Sequence, residues 1–476
     1  MKKMKETIFR EYDIRGVYPR DINGDIIYKI ILAFSKYLVE QIDKKDDIWV
    51  SVGTDVRKSS PELKEATIKA FVDSGINVVD LDVVPTPVLY FSLFTNLLPI
   101  DKKERKVDGG IMITASHNPP EFNGMKLCVG PYALYGEKIK EIYKIAINED
   151  FLKPNKKGTI VKYDIIYDYV TFLTGHFFKL KKLFQKFEKP VVAVDCGNGT
   201  AGPVIKKILD NLEIKYIPLF FEPDGNFPNH HPDPTVPEYI KELISVVKKN
   251  KLYLGIGYDG DTDRIGAVDS KGETVYGDKL LLLFSKYVLK EFGKGAKFIG
   301  EVKCSQVLFD GIKKLGGKPI IYRTGHSLIK EKMKKEGALL AGEMSGHMFF
   351  NDRYFGFDDA IYASLRLLEI IGEEAKPLDK IISFIPKTYT TPEIRMESSD
   401  EKKFEVVEKL KDELKKRKMK FLDIDGVRVQ FPDGGFGLVR ASNTQPVLVL
   451  RFEAKNQKLL KHHQKFIMDI LNKYLK

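Results

Sequence analysis

A strand–turn–helix–strand pattern occurs three times along this chain, and it constrains the fold more than any other feature. The first copy has strands at 49–52 and 76–79, separated by a helix over 61–74. The same order of elements returns at 191–220 and at 297–322. Because such units build parallel sheets with crossover helices, the sequence predicts three similar α/β domains with parallel or mixed sheets.

A fourth domain is predicted from length and from a change of pattern. The 476 residues exceed what three ordinary domains need. After about residue 386 strands and helices alternate differently, which indicates an α+β domain at the C-terminal end. We therefore expect α/β domains at 1–160, 161–268 and 269–384, and an α+β domain at 385–476.

Composition narrows the class of protein. The sequence has no run of about eighteen apolar residues, and its first ten residues are charged with no apolar segment behind them. The three cysteines are far apart, which suggests neither a disulfide framework nor a metal-ligand pair, so a cytoplasmic protein is expected. The net charge of +12 comes mostly from lysines scattered over helix-like stretches. With no nucleic-acid-binding motif beside them, small anionic ligands are favoured over nucleic acid or a membrane surface.

The segment Thr114–Pro120, here called the serine loop, follows the short apolar strand 111–113. Its two prolines prevent the strand from continuing as either helix or sheet. Ser116 lies between a small and a polar neighbour, with nothing bulky beside it to cover its hydroxyl. The loop is typical of one that presents a reactive serine, although an Asn-Pro turn with an incidental serine has the same local sequence.

The segment Asp259–Arg264, here called the acidic loop, follows an apolar strand at 252–258. Residues two apart in extended chain face the same way, so Asp259, Asp261 and Asp263 are predicted to converge. Three such carboxylates repel one another unless a hard cation such as Mg²⁺ lies between them. An EF-hand is excluded, because its sixth and twelfth positions are Arg264 and Ser270 here. A phosphatase with an aspartyl nucleophile is disfavoured by the third aspartate, and a solvated acidic turn remains the simplest alternative.

A glycine-rich turn supports a competing function. Gly197–Gly202 matches the dinucleotide fingerprint, follows a strand, opens a helix and has Glu222 about twenty residues on. An oxidoreductase is therefore an alternative, although glycines at a tight strand-to-helix turn are also needed for packing alone. The adjacent His230 and His231 point opposite ways in extended chain, which favours a shaped loop over a shared metal.

A serine in a rigid loop, an acidic triad and an adjacent arginine are parts of a phosphoryl-transfer site. With these features the sequence resembles the α-D-phosphohexomutases, most closely the bifunctional phosphomannomutase/phosphoglucomutase enzymes. The resemblance runs from Tyr12 to Glu453 and rests on four motifs in the family's order, Thr114–Pro120, Asp259–Arg264, Gly342–His347 and Arg440–Pro446. It implies a cytoplasmic isomerase with four domains around a central cleft. It also implies Mg²⁺, a phosphoserine, and a glucose or mannose 1,6-bisphosphate intermediate.

The resemblance assigns roles residue by residue. Ser116 carries the phosphoryl group and also binds Mg²⁺ with Asp259, Asp261 and Asp263. The other expected catalytic residues are Arg15, His117, Lys126, Arg264 and His326. Lys126 and His326 are candidates for handling the proton of the sugar hydroxyl, because burial can tune both toward neutrality. The expected substrate-binding residues are Tyr12, Lys303, Glu343, Ser345, His347, Arg440, Ser442, Asn443 and Thr444.

The two C-terminal motifs also suit these roles by their chemistry. Glu343 and Ser345 offer an acceptor and a hydroxyl two residues apart, as reading two neighbouring sugar hydroxyls requires, although a helix-ending turn would look similar. Arg440 and the polar residues after it can all donate to phosphate oxygens. Ala115, Thr262 and Gln445 depart mildly from the family's pattern, and none of them removes a reacting group. A non-catalytic phosphosugar-binding protein and a phosphoglucosamine mutase remain alternatives, the latter disfavoured by Met344.

Overall fold

The computed structural model describes residues 4–44, 46–100, 103–399, 401–442 and 447–475, without the side chains of 98–100 and 103–104. Asn443 and Thr444 therefore lie outside the described residues. The chain forms two compact units, one of Met1–Tyr276 with Ser345–Ile381 and one of Gly277–Met344 with Ile382–Lys476. Among the described helices, none is both long and apolar enough to cross a membrane.

The first sheet of the first unit carries the serine loop. Its strands run in the order β1-β7-β6-β2-β3-β9, with β8 beside β7; β2, β3, β6 and β9 are parallel, and β1 and β7 are antiparallel to their neighbours. Side chains of α1, α2 and α4 pack with the sheet in one core. The elements are β1 Ile14–Val17, α1 Gly24–Gln41, β2 Trp49–Thr54, α2 Ser60–Asp73, β3 Asn77–Val83, α3 Thr86–Phe94, β4 Leu97–Ile100, β5 Lys103–Arg105, β6 Gly109–Ile113, β7 Phe122–Val129, β8 Tyr132–Ala133, α4 Glu137–Asn148 and β9 Ile160–Lys162.

The second sheet of the same unit carries the acidic loop. Its order is β11-β10-β12-β13-β14, with β10 parallel to β11 and β12, and with β13 antiparallel to β12 and β14. The acidic loop is the connection between β12 and β13. The elements are α5 Ile165–His176, α6 Lys179–Phe184, β10 Val192–Asp195, α7 Gly202–Asn211, β11 Tyr216–Leu219, α8 Lys241–Lys249, β12 Leu254–Tyr258, β13 Ile265–Asp269 and β14 Thr274–Val275.

The second unit contains the third copy of the repeat, in which β15 is parallel to both β16 and β17. Its elements are α9 Gly277–Phe292, β15 Lys297–Glu301, α10 Gln306–Lys314, β16 Lys318–Tyr322, α11 His326–Glu336 and β17 Leu340–Gly342. The chain then returns to the first unit with β18 Met348–Phe350, α12 Ala360–Glu374 and α13 Leu378–Ile381.

The C-terminal part of the second unit is an antiparallel sheet with two helices packed in its core. The strand order is β19-β24-β23-β22-β21, with β20 also beside β24. The elements are β19 Tyr389–Thr390, β20 Ile394–Glu397, α14 Lys402–Lys416, β21 Phe421–Asp423, β22 Val427–Gln430, β23 Phe436–Ala441, β24 Val447–Ala454 and α15 Gln457–Leu475.

The predicted fold class is confirmed, since each of the three repeats forms a parallel strand pair around a helix and the C-terminal part is α+β. The exact boundaries at 160, 268 and 384 stay a prediction. The first helix begins at Gly24 because the Asn23 side chain caps it by accepting a hydrogen bond from Ile26 N at 3.0 Å.

Candidate active site

Ser116 lies in a strained part of the serine loop, three residues after β6 ends. Its backbone is left-handed, with φ of 50°, a conformation that costs energy for a residue with a side chain. Ser116 N donates to Thr114 Oγ1 at 2.8 Å, and Ser116 Oγ donates to Asp259 Oδ2 at 2.8 Å. His117 Nδ1 is 3.1 Å from the same hydroxyl oxygen. The strained turn therefore points the serine hydroxyl at the acidic loop.

The three carboxylates of the acidic loop converge, and all three are fully buried. Each is held by a different part of the first unit. Thr86, the first residue of α3, donates its hydroxyl to Asp261 Oδ2 at 2.7 Å and its backbone N–H to Asp261 O at 2.8 Å. Lys126 on β7 donates to Asp263 Oδ2 at 2.9 Å, and Arg264 N donates to Asp259 Oδ1 at 3.1 Å.

The triad has the donor set that a hard divalent cation requires. Asp261 Oδ1 and Asp263 Oδ1 are buried and accept no hydrogen bond from any described residue. Burial and the charges of the other two aspartates raise the pKa of Asp259 well above its usual range. Burial and Asp263 likewise raise the pKa of Asp261. Burial alone would raise the pKa of Asp263 too, but Lys126 and His347 hold it well below its usual range. Asp259 and Asp261 are therefore the carboxylates that the protein alone compensates poorly, and together with Asp263 and Ser116 Oγ they fit an all-oxygen site for Mg²⁺.

The charge of Lys126 corrects one expectation from the sequence. Burial alone would lower the pKa of Lys126, as predicted, but the carboxylates of Asp263 and Asp261 outweigh burial and raise the pKa. The charges of the protein itself therefore favour an ammonium group at Lys126. The pKa of His117 is held well below its usual value. Burial of the ring is the main cause, and the positive charges of Arg264 and Arg15 lower the pKa further.

His347 and Ser345 lie in the first unit beside the acidic loop. Arg264 Nε donates to His347 Nε2 at 3.3 Å, and Asp263 Oδ1 is 3.2 Å from the same nitrogen. Since an arginine N–H can only donate, Nε2 accepts, and the proton of a neutral ring is then on Nδ1. Nδ1 is 3.2 Å from Ser345 Oγ, a distance at which it can donate to that hydroxyl.

Arg15 and Tyr12 come from the N-terminal segment of the first unit. Arg15 on β1 donates to Asn118 Oδ1 of the serine loop at 2.9 Å and also pairs with Asp13. Tyr12 is half-buried in the bend before β1. The guanidinium of Arg15 thus reaches the serine loop.

Glu343, Lys303 and His326 lie in the second unit, at the ends of its parallel strands. Glu343 Oε1 accepts from Gly325 N at 2.8 Å, which fixes the turn immediately before His326, the first residue of α11. Lys303 follows β15 and is half-buried. The buried Glu301 organises this edge, because its carboxylate accepts from the backbone N–H groups of Lys303 at 2.7 Å and Met344 at 3.3 Å.

Arg440 and Ser442 lie at the end of β23 in the second unit. Arg440 donates to Asp425 Oδ1 at 3.1 Å, and Asp425 Oδ2 accepts from Thr324 N at 3.2 Å. Ser442 is buried, and its backbone N–H donates to Val447 O at 3.0 Å. A carboxylate thus holds the guanidinium that the sequence assigns to phosphate binding.

The glycine-rich turn Gly197–Gly202 supports the acidic loop. A Cβ on Gly199 would lie 2.7 Å from Gly260 O, and one on Gly202 would lie 1.9 Å from Phe221 O. Thr200 N donates to Gly260 O at 3.1 Å. The glycines of the fingerprint are therefore required by close backbone packing, and the face where a pyrophosphate would approach Gly199 is covered by the acidic loop.

Sequence reasoning missed Thr86 and Glu301. Thr86 directly precedes Pro87 at a helix start, a signal that would have predicted a capping threonine, but nothing local connects it to Asp261, which is 175 residues away in the chain. Glu301 ends an apolar strand, where a buried carboxylate is unusual enough to attract attention.

Comparisons with known proteins cover nearly the whole chain. Family models described as phosphoglucomutase/phosphomannomutase domains match in order: alpha/beta/alpha domain I at residues 6–153, domain II at 167–272, domain III at 276–389 and the C-terminal domain at 393–470. A phosphomannomutase/phosphoglucomutase of Pseudomonas syringae is 43% identical over 97% of this chain and 94% of its own. A phosphoglucomutase of Neisseria gonorrhoeae is 40% identical over 98% and 96%. A crystal structure of a phosphoglucomutase/phosphomannomutase family protein from Burkholderia thailandensis is 38% identical, with a TM-score of 0.91 over 99% of this chain and 98% of that one.

Proposed function

Because the chain belongs to the phosphoglucomutase/phosphomannomutase family, we propose that Ser116 carries the phosphoryl group that this mutase moves within its substrate. The chain is an isomerase, an intramolecular phosphotransferase acting on hexose phosphates. One observation carries the assignment of Ser116. Its hydroxyl donates at 2.8 Å to a buried aspartate triad, in which two carboxylate oxygens accept no hydrogen bond from any described residue.

In the proposed reaction, phospho-Ser116 gives its phosphoryl group to a free hydroxyl of a hexose monophosphate. The bond from phosphorus to the serine oxygen breaks as the bond to the sugar oxygen forms, and the hydroxyl proton passes to a protein base. The resulting 1,6-bisphosphate turns round, and its other phosphate returns to Ser116. Arg264, with Nε 4.0 Å from Asp259 Oδ2, is close enough to offset the charge of the group in transfer.

The first candidates for the base and the acid of this reaction are polar side chains that contact the triad. His347 Nε2 carries a lone pair in the tautomer that its contacts indicate, so it suits proton acceptance. Lys126 is held as a cation by Asp263 and Asp261, so it suits proton donation or charge stabilisation. His326 in the second unit remains a further candidate.

Mg²⁺ is the cation that best suits the site. Asp259, Asp261, Asp263 and Ser116 Oγ would hold it, since hard oxygen donors with no sulfur or nitrogen among them favour that ion. Bound there, Mg²⁺ supplies Lewis-acid stabilisation of the charge on the phosphoryl oxygens.

The proposed substrates are glucose and mannose phosphates, as the names of the two bacterial relatives suggest. Glu343 and Ser345 are assigned to the sugar hydroxyls, and Arg440 and Ser442 to the phosphate that is not being transferred. Glucose or mannose 1,6-bisphosphate is then both the intermediate and the activator that rephosphorylates Ser116. The three cysteines, all within the described part of the chain, are buried and form no disulfide, which supports the expected cytoplasmic location.

Replacement of Ser116 tests this proposal directly. The purified protein is expected to yield a phosphopeptide that contains Ser116, and Ser116→Ala is expected to lose mutase activity without unfolding. Ser285→Ala is a matched control, because Ser285 is a buried serine whose hydroxyl donates only to a helix carbonyl, Leu281 O. Mutase activity near the wild-type level in Ser116→Ala would refute the proposed mechanism.

A further inference from the structure

Arg57 is a buried arginine directly beneath the serine loop. It lies in the turn between β2 and α2 and is 1% exposed. Its guanidinium donates to four backbone carbonyls of the serine loop and the start of β7. They are Ser116 O at 2.8 Å, Asn118 O at 2.6 Å, Pro119 O at 2.6 Å and Phe122 O at 3.0 Å.

The remaining N–H of the guanidinium fixes Arg57 to its own turn. Nε donates to Asp55 Oδ2 at 3.0 Å, while Asp55 Oδ1 accepts from Arg57 N at 3.0 Å and from Ser60 Oγ at 2.8 Å. All five N–H groups of the side chain therefore have an acceptor, which is the full donor capacity of arginine. A lysine has three donors on one atom and cannot span these five acceptors.

A loop of the second sheet closes this site from outside. The ring of Phe227 lies 5.3 Å from Arg57 Cζ, within range of a cation–π contact. A Cβ on Gly225 would lie 2.3 Å from Val56 O and 2.9 Å from Arg57 Cα, so the two backbones touch. Water is thereby kept from the guanidinium, and its hydrogen bonds are stronger for being in a low-dielectric environment.

The carbonyls that Arg57 holds belong to the most strained part of the loop. Ser116 has the left-handed backbone with φ of 50°, and the bond from Arg57 to Ser116 O acts on the peptide group that immediately follows. Such a conformation persists only where the surroundings over-determine it. Without these four bonds, the serine is expected to relax toward an ordinary backbone conformation, and its hydroxyl would no longer point at Asp259.

We propose that Arg57 is a positioning residue for phosphoryl transfer, which holds Ser116 in its reactive orientation through the carbonyls of the serine loop. This inference rests on the proposed role of Ser116 as phosphoryl carrier. Arg57 touches neither the substrate nor the transferring group in this account. Its loss should therefore lower kcat and leave the KM for hexose phosphate nearly unchanged, because other residues bind the sugar and the distal phosphate.

The experiment compares Arg57→Lys and Arg57→Ala with wild-type protein and with Arg366→Lys. Arg366 is a matched control, since it is 5% exposed and paired with Asp352 and Glu369 but has no bond to the serine loop. We expect Arg57→Lys to lower kcat about 10- to 100-fold, because a misplacement of about 1 Å can cost that much, with KM changed less than about threefold. Guanidinium ion at millimolar concentration should restore part of the activity of Arg57→Ala, while urea should not. Arg366→Lys should keep its kcat even if its melting temperature falls.

A kcat of Arg57→Lys within about twofold of wild type would overturn the inference, as would a fall in kcat matched by Arg366→Lys. If Arg57→Ala does not fold, the kcat and KM of Arg57→Lys decide alone. Ser116→Ala belongs in the same series: its retained activity would refute the proposed function, whereas an inactive Ser116→Ala beside a normal Arg57→Lys would refute only the role of Arg57.

Discussion

Substitution of Gly199 by alanine tests whether the glycine-rich turn exists to shape the metal site. Gly199 faces Gly260, the residue between the first two aspartates of the acidic loop, and an added Cβ would lie 2.7 Å from Gly260 O and 3.0 Å from Gly260 Cα. Gly260 in turn is pressed against the serine loop, because a Cβ there would lie 2.6 Å from Ser116 O. A displacement of Gly260 therefore reaches both the triad and the serine.

The size of the effect follows from these distances. An ordinary contact begins at 3.4 Å, so Gly260 has to move by about 0.7 Å. Overpacking of this kind typically costs about 1–3 kcal/mol of stability, and backbone atoms cannot relax as a flexible side chain can. Metal–ligand distances tolerate only about 0.2 Å, so the larger loss should appear in Mg²⁺ binding. We expect the Mg²⁺ affinity of Gly199→Ala to fall about 10- to 100-fold, the usual cost of disturbing the residues that support metal ligands.

The assay is mutase activity against Mg²⁺ concentration, with thermal unfolding of the same samples. Gly175→Ala is the control, because Gly175 lies in helix α5 and an added Cβ would meet no described atom within 4 Å beyond its chain neighbours and the backbone of its own helix. That variant should bind Mg²⁺ normally and gain stability of about 0.5–1 kcal/mol, since alanine is favoured over glycine in a helix. NAD(P) titration of the wild-type protein should show no tight binding.

An unchanged Mg²⁺ dependence in Gly199→Ala would refute the argument that Gly199 positions the acidic loop. If the wild-type protein bound NAD(P) tightly and Gly199→Ala bound it more weakly, the oxidoreductase alternative would be restored.

Three further substitutions test the other assigned residues. Asp261→Asn removes one of the three negative charges of the triad, so Mg²⁺ affinity and the mutase rate should fall together, and excess Mg²⁺ should restore part of the rate. Full activity of that variant in EDTA would contradict the metal site. Glu343→Ala should impair turnover of mannose and glucose phosphates alike. Glu343→Gln should impair it less, because the amide oxygen can still accept a hydrogen bond from Gly325 N. A loss of activity on one sugar only would mean that Glu343 contacts the hydroxyl at C2, where the two sugars differ. Arg440→Ala should raise KM about ten- to more than a hundredfold, since a hydrogen bond to a charged group contributes about 1.5–3 kcal/mol. Turnover by this variant should stall and should recover when glucose 1,6-bisphosphate is added. A fall in kcat alone, with no response to the bisphosphate, would place Arg440 on the transferring group.

The sequence was sufficient to predict the architecture and the chemistry of the loops. The repeats are visible because apolar spacing and turn residues are local properties, and each repeat forms the parallel strand pair expected of it. The convergence of Asp259, Asp261 and Asp263 was also predicted, but the reason given for it was incomplete. The loop brings them together as a turn in which Thr262 is left-handed, with φ of 68°, and not as extended chain.

Contacts between distant segments could not be predicted. Thr86 holds Asp261 across 175 residues, and Arg57 holds Ser116 across 59, and no spacing in the sequence encodes either pair. The fingerprint at Gly197–Gly202 shows the same limit, because whether those glycines admit a phosphate or another backbone depends on what packs against them, and here Gly260 does.

The charge of Lys126 shows most directly what the sequence determined and what the tertiary structure determined. The sequence by itself determined that a lysine lies ten residues after Ser116, and burial of that lysine would predict a lowered pKa. The tertiary structure decided the opposite direction by placing Asp263 Oδ2 2.9 Å and Asp261 Oδ2 3.9 Å from its ammonium group. The desolvation of a charged group depends only on its burial in the protein. The Coulomb energy depends on its distance to particular charges, and the fold alone sets those distances.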